Sequence, residues 1–353
     1  MATDMVTVTE KRRINGMKTR SGIIKIITTA LILVLTVTLL SSCGSQKKTE
    51  TKKAAQPQKY KGYTTFAFFG VDSRAEENKG RSDVIMLITI NNDKKSVKVT
   101  SVYRDTLLDI SGDGSDFEKC NAAYAWDGPE GAVDMLERNL DVKIDGYFAS
   151  NFKAVADAVD TVGGVKIYVQ DAEIKYLNGN IKEYNEKFNQ NIPDVTEAGM
   201  QQLNGGQAVA YSRIRYLEGG DFARTRRQQN VVSQMFQQIR RLDKDQQNKV
   251  FSDLYKTVDT DMSKSELMNM ADVMIKYNLS DMGGFPYKKS GKNLGSKGDC
   301  VIPCDLEENV IMLHKKVYGD KNYQPSKTVT DYSSKIVNET GLTKDDAADY
   351  GDK

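Results

Sequence analysis

The feature that most constrains this chain is an uncharged apolar segment near its N-terminus. Residues 26–40 are all apolar or threonine, and no charged side chain occurs between Lys25 and Lys47. A helix of about 20 apolar residues crosses the roughly 30 Å hydrocarbon core of a bilayer. Because the residues before this segment are rich in Lys and Arg, the positive-inside rule places them in the cytoplasm and the rest of the chain outside. We therefore expect an extracytoplasmic protein tied to the cell membrane by a single N-terminal anchor.

The same segment also fits a lipoprotein signal. Residues 40–43 (LSSC) resemble a lipobox, in which small residues precede a cysteine that becomes lipidated. A short apolar core that ends just before Cys43 favours a cleaved signal, whereas the long basic lead-in favours an uncleaved transmembrane helix. Both interpretations tether the rest of the chain to the outer face of the membrane, and both remain open.

Changes in composition divide the chain into five segments. We predict a short cytoplasmic basic segment at 1–25, the anchor at 26–43, a flexible linker at 44–62, a folded extracytoplasmic domain at 63–325 and a polar tail at 326–353. The linker is rich in Lys, Gln, Thr, Ser and Ala and lacks apolar periodicity, which is typical of solvated linkers.

Hydrophobic patterning in the folded segment predicts an α/β domain. Apolar or alternating runs predict strands at residues 64–71, 84–90, 96–102, 165–169 and 208–215. Helical spacing predicts helices at residues 132–140, 151–159 and 224–242. Turn residues between the second and third strands predict a hairpin. Strands covered by helices in mixed order favour an α/β or α-β-α layered domain.

Composition excludes several function classes. The net charge is only +2, so the chain lacks the basic excess of nucleic-acid-binding proteins. It has one histidine, His314, which argues against a Ser-His-Asp triad or a His-rich metal site. Cys120, Cys300 and Cys304 form no C-x-x-C pair, so a structural zinc site is not supported. Outside the cytoplasm these cysteines could form disulfides or remain free thiols, and their spacing does not decide.

Four charged clusters stand at predicted strand ends or helix starts, where an α/β sheet presents side chains to a crevice. They are residues 70–74 (GVDSR), 81–83 (RSD), 103–105 (YRD), and 211–215 (YSRIR) followed by 221–229 (DFARTRRQQ). On the predicted strand, Arg213 and Arg215 share one face. On the following helix, Arg224 and Gln228 lie on one side, with Arg227 beside them.

A diphosphate suits such a cluster of cations. Close guanidinium groups repel each other unless carboxylates or a bound anion neutralise them, and arginine binds phosphate oxygens through planar bidentate contacts. Asp72 and Asp83 offer carboxylate oxygens for Mg²⁺, a hard cation that also binds phosphate. Each cluster alone is typical of a solvated face or a surface ion pair, but the coincidence of four favours a pyrophosphate site.

The order of the motifs resembles the LytR-CpsA-Psr family of membrane-anchored bacterial enzymes. The matching motifs are residues 69–74 (FGVDSR), 81–87 (RSDVIML), 101–105 (SVYRD), 121–124 (NAAY), 162–165 (VGGV), 203–208 (LNGGQA), 211–215 (YSRIR) and 221–228 (DFARTRRQ). The family moves teichoic acids, capsular polysaccharides or related glycopolymers from polyprenyl pyrophosphate onto peptidoglycan. The resemblance thus implies a glycopolymer phosphotransferase whose partners are the lipid-linked polymer, peptidoglycan and the membrane, with no nucleic acid.

Carried over residue by residue, the resemblance also implies roles for single side chains. The side chains that would bind pyrophosphate are Arg81, Arg104, Arg213, Arg215, Arg224 and Gln228. The ligands of Mg²⁺, or of Mn²⁺ in its place, would be Asp72 and Asp83, and these two would act in catalysis with Arg104 and Arg215. Supporting residues would be Arg74, Asp221 and Arg227. Tyr103 departs from the family pattern, which usually has proline before the Arg-Asp pair.

The family fold is an α-β-α sandwich with a central mixed sheet and an apolar tunnel for the polyprenyl tail, and we expect it here. Two alternative functions remain open at this point. One is a hydrolase that cleaves the same lipid pyrophosphate with water and releases the polymer. The other is a non-catalytic regulator that binds polyprenyl phosphate.

Overall fold

The computed structural model describes residues 57–71 and 80–350. Its strands are β1 (Tyr63–Val71), β2 (Ser82–Asn91), β3 (Ser96–Val102), β4 (Leu107–Asp109), β5 (Phe117–Lys119), β6 (Gly146–Asn151), β7 (Val165–Val169), β8 (Gly199–Leu203), β9 (Asp259–Thr260), β10 (Asn278–Phe285), β11 (Lys289–Asn293) and β12 (Asp299–Pro303). Its helices are α1 (Asn121–Leu140), α2 (Phe152–Thr161), α3 (Asp171–Phe188), α4 (Gly205–Ser212), α5 (Gly220–Arg241), α6 (Lys244–Tyr255), α7 (Lys264–Lys276), α8 (Leu306–Val317) and α9 (Lys327–Thr340). Four of the five predicted strands and all three predicted helices are confirmed.

Six strands form one mixed sheet in the order β10-β3-β2-β1-β6-β9. Strand β1 pairs antiparallel with β2 and parallel with β6. Strands β2 and β3 form the predicted antiparallel hairpin, and β10 pairs parallel with β3. The central mixed sheet expected from the sequence is therefore confirmed.

Helices cover both faces of this sheet. Phe69 of β1 packs on one face in a core that includes residues of α1, α8 and α9, and the free cysteines Cys120 and Cys300 lie in the same core. Phe66 packs on the opposite face against residues of α5 and α7. Because successive side chains of a strand point to opposite faces, the nearly continuous apolar character of β1 follows from burial on both sides.

Residues 208–215 form no strand, so this prediction was wrong. Asn204 caps α4: its side chain accepts a hydrogen bond from the Gln207 backbone N–H at 2.9 Å, and the Gln207 side chain accepts one from the Asn204 N–H at 3.0 Å. A Cβ on Gly205 would lie 2.0 Å from the Ala156 carbonyl oxygen, so the first turn packs directly against α2. This reciprocal capping box starts a helix and overrides the apolar-polar alternation that suggested a strand.

The structure also corrects the polar tail expected at 326–353, because that segment contains helix α9. The Ser326 side chain caps the helix by accepting a hydrogen bond from the Val329 N–H. Val329, Tyr332 and Ile336 are buried in the core beside α1 and α8. Their spacing of three and four residues is the helical period, which the polar composition around them obscured.

Within residues 57–71 and 80–350, no helix has the length and apolar character that crossing a bilayer requires. The anchor predicted at 26–43 and the basic segment before it lie outside these described residues. Of the predicted linker, the part from residue 57 onward is described, and there Gln58 forms a bridge with Val142. The anchor therefore stays a prediction from sequence.

His314, the single histidine, is a buried residue of α8. Its ring stacks on that of Tyr323 with centroids 3.6 Å apart, and its Nε2 donates a hydrogen bond to the Leu140 carbonyl oxygen at 2.9 Å. Its Nδ1 lies 2.8 Å from the Tyr60 hydroxyl oxygen. Burial lowers the pKa of His314 below its ordinary value of 6.5.

Protonation of His314 should therefore make the protein less stable at acidic pH. As the pH drops below about 6.5, the unfolded histidine takes up a proton that the folded one excludes, so the free energy of unfolding decreases. Urea unfolding at about pH 7.5 and about pH 5.5 measures the difference, and His314→Gln should reduce it. An unchanged pH dependence in the variant would contradict this assignment.

Candidate active site

A β-bulge at the end of β1 positions the first carboxylate of the site. Gly70 pairs with Val84 and Val71 pairs with Ser82, so Asp83 has no partner across the strand pair. A bulge of this kind changes the direction of the extra residue's side chain. The two strands are close here, since a Cβ on Gly70 would lie 2.8 Å from the Val84 Cβ. Glycine at this position therefore permits the approach that places Asp83.

Arg104 lies at the centre of the site, in the turn after β3. Its Nη1 donates to Asp83 Oδ1 at 2.6 Å, and its Nε lies 3.4 Å from Asp105 Oδ2 and 3.7 Å from Asp221 Oδ1. Burial alone would lower the pKa of Arg104, but the three carboxylates together raise it above its ordinary value. The guanidinium is therefore charged at any physiological pH.

Arg224 joins the same cluster from the first turn of α5. Its Nη2 lies 2.8 Å from Asp221 Oδ1, and its side chain is only 5% exposed. Burial lowers the pKa of Arg224 and raises the pKa of Asp221, and the attraction between the two groups opposes both shifts. Because Asp221 contacts Arg104 as well, it ties the turn after β3 to the start of α5. The predicted meeting of Arg104, Arg224 and Asp83 is therefore present.

Arg81 reaches the edge of this cluster through α1. Its Nη1 donates to Asn121 Oδ1 at 3.4 Å, and the Asn121 backbone N–H donates to the Arg104 carbonyl oxygen at 3.1 Å. Arg81 is exposed, so its guanidinium is accessible to a ligand that approaches from solvent.

The carboxylates neutralise the two guanidiniums, but buried donors remain beside them. In the described part of the chain, the Nε atoms of Arg104 and Arg224 and the Ser82 hydroxyl are buried without a hydrogen-bond partner. Leaving such a group unpaired costs about 1–3 kcal/mol. A ligand with several acceptor oxygens, such as a phosphate, would satisfy them.

Arg213 and Arg215, in the turn after α4, contact residues outside this cluster. Arg213 Nη2 lies 3.4 Å from Glu183 Oε2, and its guanidinium carbon lies 5.5 Å from the centroid of the Phe152 ring. Arg215 is exposed and donates to the hydroxyl of Tyr216 at 3.0 Å. The prediction that these two arginines share a strand face is wrong, because α4 replaces the strand.

Arg227 and Gln228 have separate surroundings. Arg227 is buried: its Nε donates to Glu173 Oε1 at 2.7 Å, and its Nη1 donates to the Ile214 carbonyl oxygen at 3.1 Å. It therefore supports the turn that carries Arg215 and does not face the cluster around Arg104. Gln228 instead lines an apolar cavity.

This cavity has a volume of about 270 Å³ and lies on the sheet face covered by α5 and α7. Its walls come from β1, β2 and β6 and from helices α2, α4, α5, α6 and α7. Val84, which lines it, directly follows Asp83, and Gln228, which also lines it, stands one helical turn after Arg224. Strand β2 and helix α5 therefore contribute to both the ion cluster and the apolar cavity.

Asp72 and Arg74 lie outside the described residues, and their roles stay predictions. Among the residues that the structure does describe, no group of three or more Asp, Glu, His or Cys side chains forms a metal site. Mg²⁺ at phosphate sites commonly takes only one or two carboxylates, with waters and phosphate oxygens as its other ligands. Asp83 fits that pattern, because its carboxylate is 23% exposed and borders the buried donors.

Sequence analysis did not assign Asp105, Asn121 or Glu173 to the site. Asp105 and Asn121 stand in the motifs that suggested the family, so the signal for them was present. An acid that directly follows an arginine looks like a local ion pair, and the sequence gives no sign that two distant acids share the same guanidinium. Glu173 contacts Arg227 across 54 residues of sequence, which no local pattern reveals.

Comparisons with known proteins agree with these motifs. The model of the LytR_cpsA_psr family matches residues 34–294. The chain belongs to the LytR-CpsA-Psr family. The polyisoprenyl-teichoic acid–peptidoglycan teichoic acid transferase TagU of Halalkalibacterium halodurans is 35% identical over 170 residues, covering 48% of this chain and 51% of that protein. Biofilm regulatory protein A of Streptococcus mutans is 30% identical over 298 residues, covering 74% of this chain and 71% of that protein.

The fold of this LytR-CpsA-Psr protein is also found in solved structures. The crystal structure of protein gbs0355 from Streptococcus agalactiae matches with a TM-score of 0.62 and 25% identity, covering 75% of this chain and 90% of that one. The match to the TagU relative, by contrast, spans about half of that protein's length.

Proposed function

We propose that this protein is a phosphotransferase that moves an anionic glycopolymer, such as a teichoic acid or capsular polysaccharide, from polyprenyl pyrophosphate onto peptidoglycan. The observation that carries the proposal is that β2 and α5, which hold Asp83 and Arg224 of the ion cluster, also line an apolar cavity. A lipid pyrophosphate has the same two parts, an anionic headgroup and an apolar tail. The relatives named as teichoic acid transferases support this substrate class.

In the proposed reaction, a hydroxyl oxygen of peptidoglycan forms a bond to the polymer-linked phosphorus. The bond from that phosphorus to the bridging oxygen breaks, and polyprenyl phosphate leaves with this oxygen. Such a transfer needs positioning of the reactants and neutralisation of the charge on phosphate oxygens. Arg104 and Arg224 supply both from buried positions, and Arg81 adds an exposed guanidinium. Arg213 and Arg215 would have to leave their present contacts to take part.

The proton of the attacking hydroxyl must pass to a base. Among the described carboxylates we assign this to Asp221, which lies between Arg104 and Arg224 and is 22% exposed. Burial raises its pKa above the ordinary value, which favours a base. When bound, Mg²⁺ or Mn²⁺ supplies further neutralisation of phosphate charge. Asp83, together with Asp72, would hold that ion.

We further propose that the domain works outside the cytoplasm, tied to the cell membrane by residues 26–43. The tether is either a transmembrane helix or a lipid on Cys43. Protease added to intact cells without their wall should digest the domain and leave cytoplasmic proteins whole. Digestion only after lysis would contradict this location.

The decisive assay supplies labelled lipid-linked polymer with and without peptidoglycan fragments. Label joined to the glycan supports transfer, whereas free polymer phosphate formed in both reactions supports hydrolysis. The S. mutans relative is named as a regulatory protein, and the second candidate is therefore a regulator, which we take to bind polyprenyl phosphate without catalysis. That candidate predicts binding of the donor with no turnover of either kind.

Filling the apolar cavity should separate recognition of the tail from recognition of the headgroup. Ala271 on α7 is buried and lines the cavity. The larger side chain in Ala271→Phe should therefore displace part of the polyprenyl tail. Each methylene group that loses its contact should weaken donor binding by about 0.8 kcal/mol. We expect kcat/KM for a long-chain donor to fall roughly tenfold or more, with affinity for inorganic pyrophosphate unchanged. Ala172→Phe, at an exposed position on α3, is the matched control. Equal loss for donors with short and long tails would contradict a tail-binding cavity.

A further inference from the structure

Lys289 is a buried cation beside the candidate site that the proposed reaction does not use. The residue is 2% exposed, at the start of β11. Its Nζ lies 5.0 Å from the centroid of the Tyr103 ring, 5.0 Å from that of Phe222 and 5.8 Å from that of Tyr350. Three aromatic rings around one ammonium form a cage that attracts the cation through the negative faces of the rings. We call these four residues the lysine cage.

The lysine cage joins the two chain segments that carry the ion cluster. Tyr103 directly precedes Arg104, and Phe222 directly follows Asp221. The rings of Tyr103 and Phe222 meet edge to face with centroids 4.8 Å apart. The contact between Arg104 Nε and Asp221 Oδ1, at 3.7 Å, therefore lies one residue away from the cage on both segments.

The C-terminal segment closes the cage from the outside. The Ala348 N–H donates to the Lys289 carbonyl oxygen at 2.9 Å, and the Gly291 N–H donates to the Tyr350 hydroxyl at 2.8 Å. The centroids of the Tyr350 and Phe222 rings are 4.4 Å apart. Residues after α9 thus reach back to β11 and contact the first turn of α5.

The fit of Tyr103 in the cage depends on the residue that it faces on β10. A Cβ on Gly284 would lie 2.1 Å from the Tyr103 hydroxyl oxygen, so the tyrosine fits only because residue 284 is glycine. A proline at 103 would remove one of the three rings around Lys289 and leave only those of Phe222 and Tyr350. Gly284 therefore makes room for Tyr103, and the ring of Tyr103 in turn contacts Lys289.

We infer that Lys289 is a positioning residue for the proposed phosphotransfer. Through Tyr103 and Phe222 it fixes the separation of Arg104 from Asp221 and Arg224, and Tyr350 holds the cage closed. This inference rests on the proposed function for its effect on turnover, but its effect on pyrophosphate binding does not depend on which reaction the site performs.

The test compares Lys289→Met, which keeps an apolar stem and removes the charge, with Lys289→Arg, which keeps a cation over the rings. In the full chain we expect Lys289→Met to lower kcat and to weaken binding of inorganic pyrophosphate, each by roughly ten- to a hundredfold, because misplacing a catalytic group by about 1 Å has effects of that size. Lys289→Arg should recover most of both losses. Tyr350→Ala, which removes a ring near the C-terminus, should give a smaller loss of the same kind.

Lys316→Met is the control, since it removes an ammonium 5.1 Å from the Tyr287 ring on an exposed part of α8. It should leave kcat and pyrophosphate affinity unchanged. If the wild type transfers polymer and folded Lys289→Met does so at the same kcat and affinity, the positioning role is wrong while the function stands. If the wild type transfers nothing, the function is wrong, and the pyrophosphate affinities still decide the role of Lys289. A lower melting temperature with full activity of the folded fraction would show a merely structural lysine and overturn the inference.

Discussion

Arg104→Ala is expected to reduce transfer of polymer to peptidoglycan by at least on the order of a hundredfold, the usual effect of removing one donor that stabilises developing charge. The guanidinium of Arg104 contacts three carboxylates, and its buried Nε has no hydrogen-bond partner. Without the guanidinium, the three carboxylates would repel a phosphate group that approaches the cluster. Initial rates with labelled lipid-linked donor measure the loss.

Two further variants show whether the loss of activity comes from the hydrogen-bond donors of Arg104 or from misfolding. Arg104→Lys keeps the charge but loses the planar fork of donors, so it should remain folded and still lose most of the activity. Arg240→Ala, at an exposed position on α5, should change nothing. Full activity in Arg104→Ala would exclude the cluster as the reaction centre.

Glu173→Gln is expected to lower the free energy of unfolding by about 3 kcal/mol or more, because it leaves a buried charge without its partner. The Glu173–Arg227 pair is 2.7 Å long, and its side chains are 4% and 10% exposed. Amide replacement keeps the shape of the side chain but removes its charge and one of its two acceptors, and the second carboxylate oxygen now accepts the Gln170 N–H at 3.0 Å. Urea unfolding measures the loss of stability.

A matched control lies on the same helix. Glu183→Gln breaks the exposed contact with Arg213 and should cost less than about 1 kcal/mol. Replacing both partners of the buried pair, as in Glu173→Leu with Arg227→Met, should regain part of the stability lost in Glu173→Gln. Similar losses for Glu173→Gln and Glu183→Gln would contradict the difference in burial that the structure shows.

Local patterning was sufficient for most of the sheet. Strands β1 and β2 have runs of apolar residues that are buried on both faces, and a strand has few other ways to bury such a run. Strand β3 alternates polar and apolar residues, which is equally typical of a strand. Patterning failed at α4, where a capping box decided the conformation against an alternating sequence. It failed again at α9, whose few apolar residues are significant only because α1 and α8 provide a surface for them.

The sequence predicted which residues belong to the candidate site better than it predicted the contacts between them. The family motifs led to Arg104, Arg224, Asp83 and Asp221, and the structure brings these together. The motifs also led to Arg213 and Arg215, whose contacts are with Glu183 and Tyr216. The difference arises because a short motif indicates which residue types are present. The direction of each side chain depends instead on contacts between segments far apart in sequence.

The lipid product of the reaction tests the account most directly. Mass spectrometry of the lipid fraction, after incubation of the protein with lipid-linked polymer and peptidoglycan, identifies which bond has broken. Attack at the polymer-linked phosphorus predicts polyprenyl monophosphate in amounts equal to the polymer joined to glycan. Release of polyprenyl pyrophosphate would place the attack at the sugar carbon and contradict phosphotransfer by the arginine cluster.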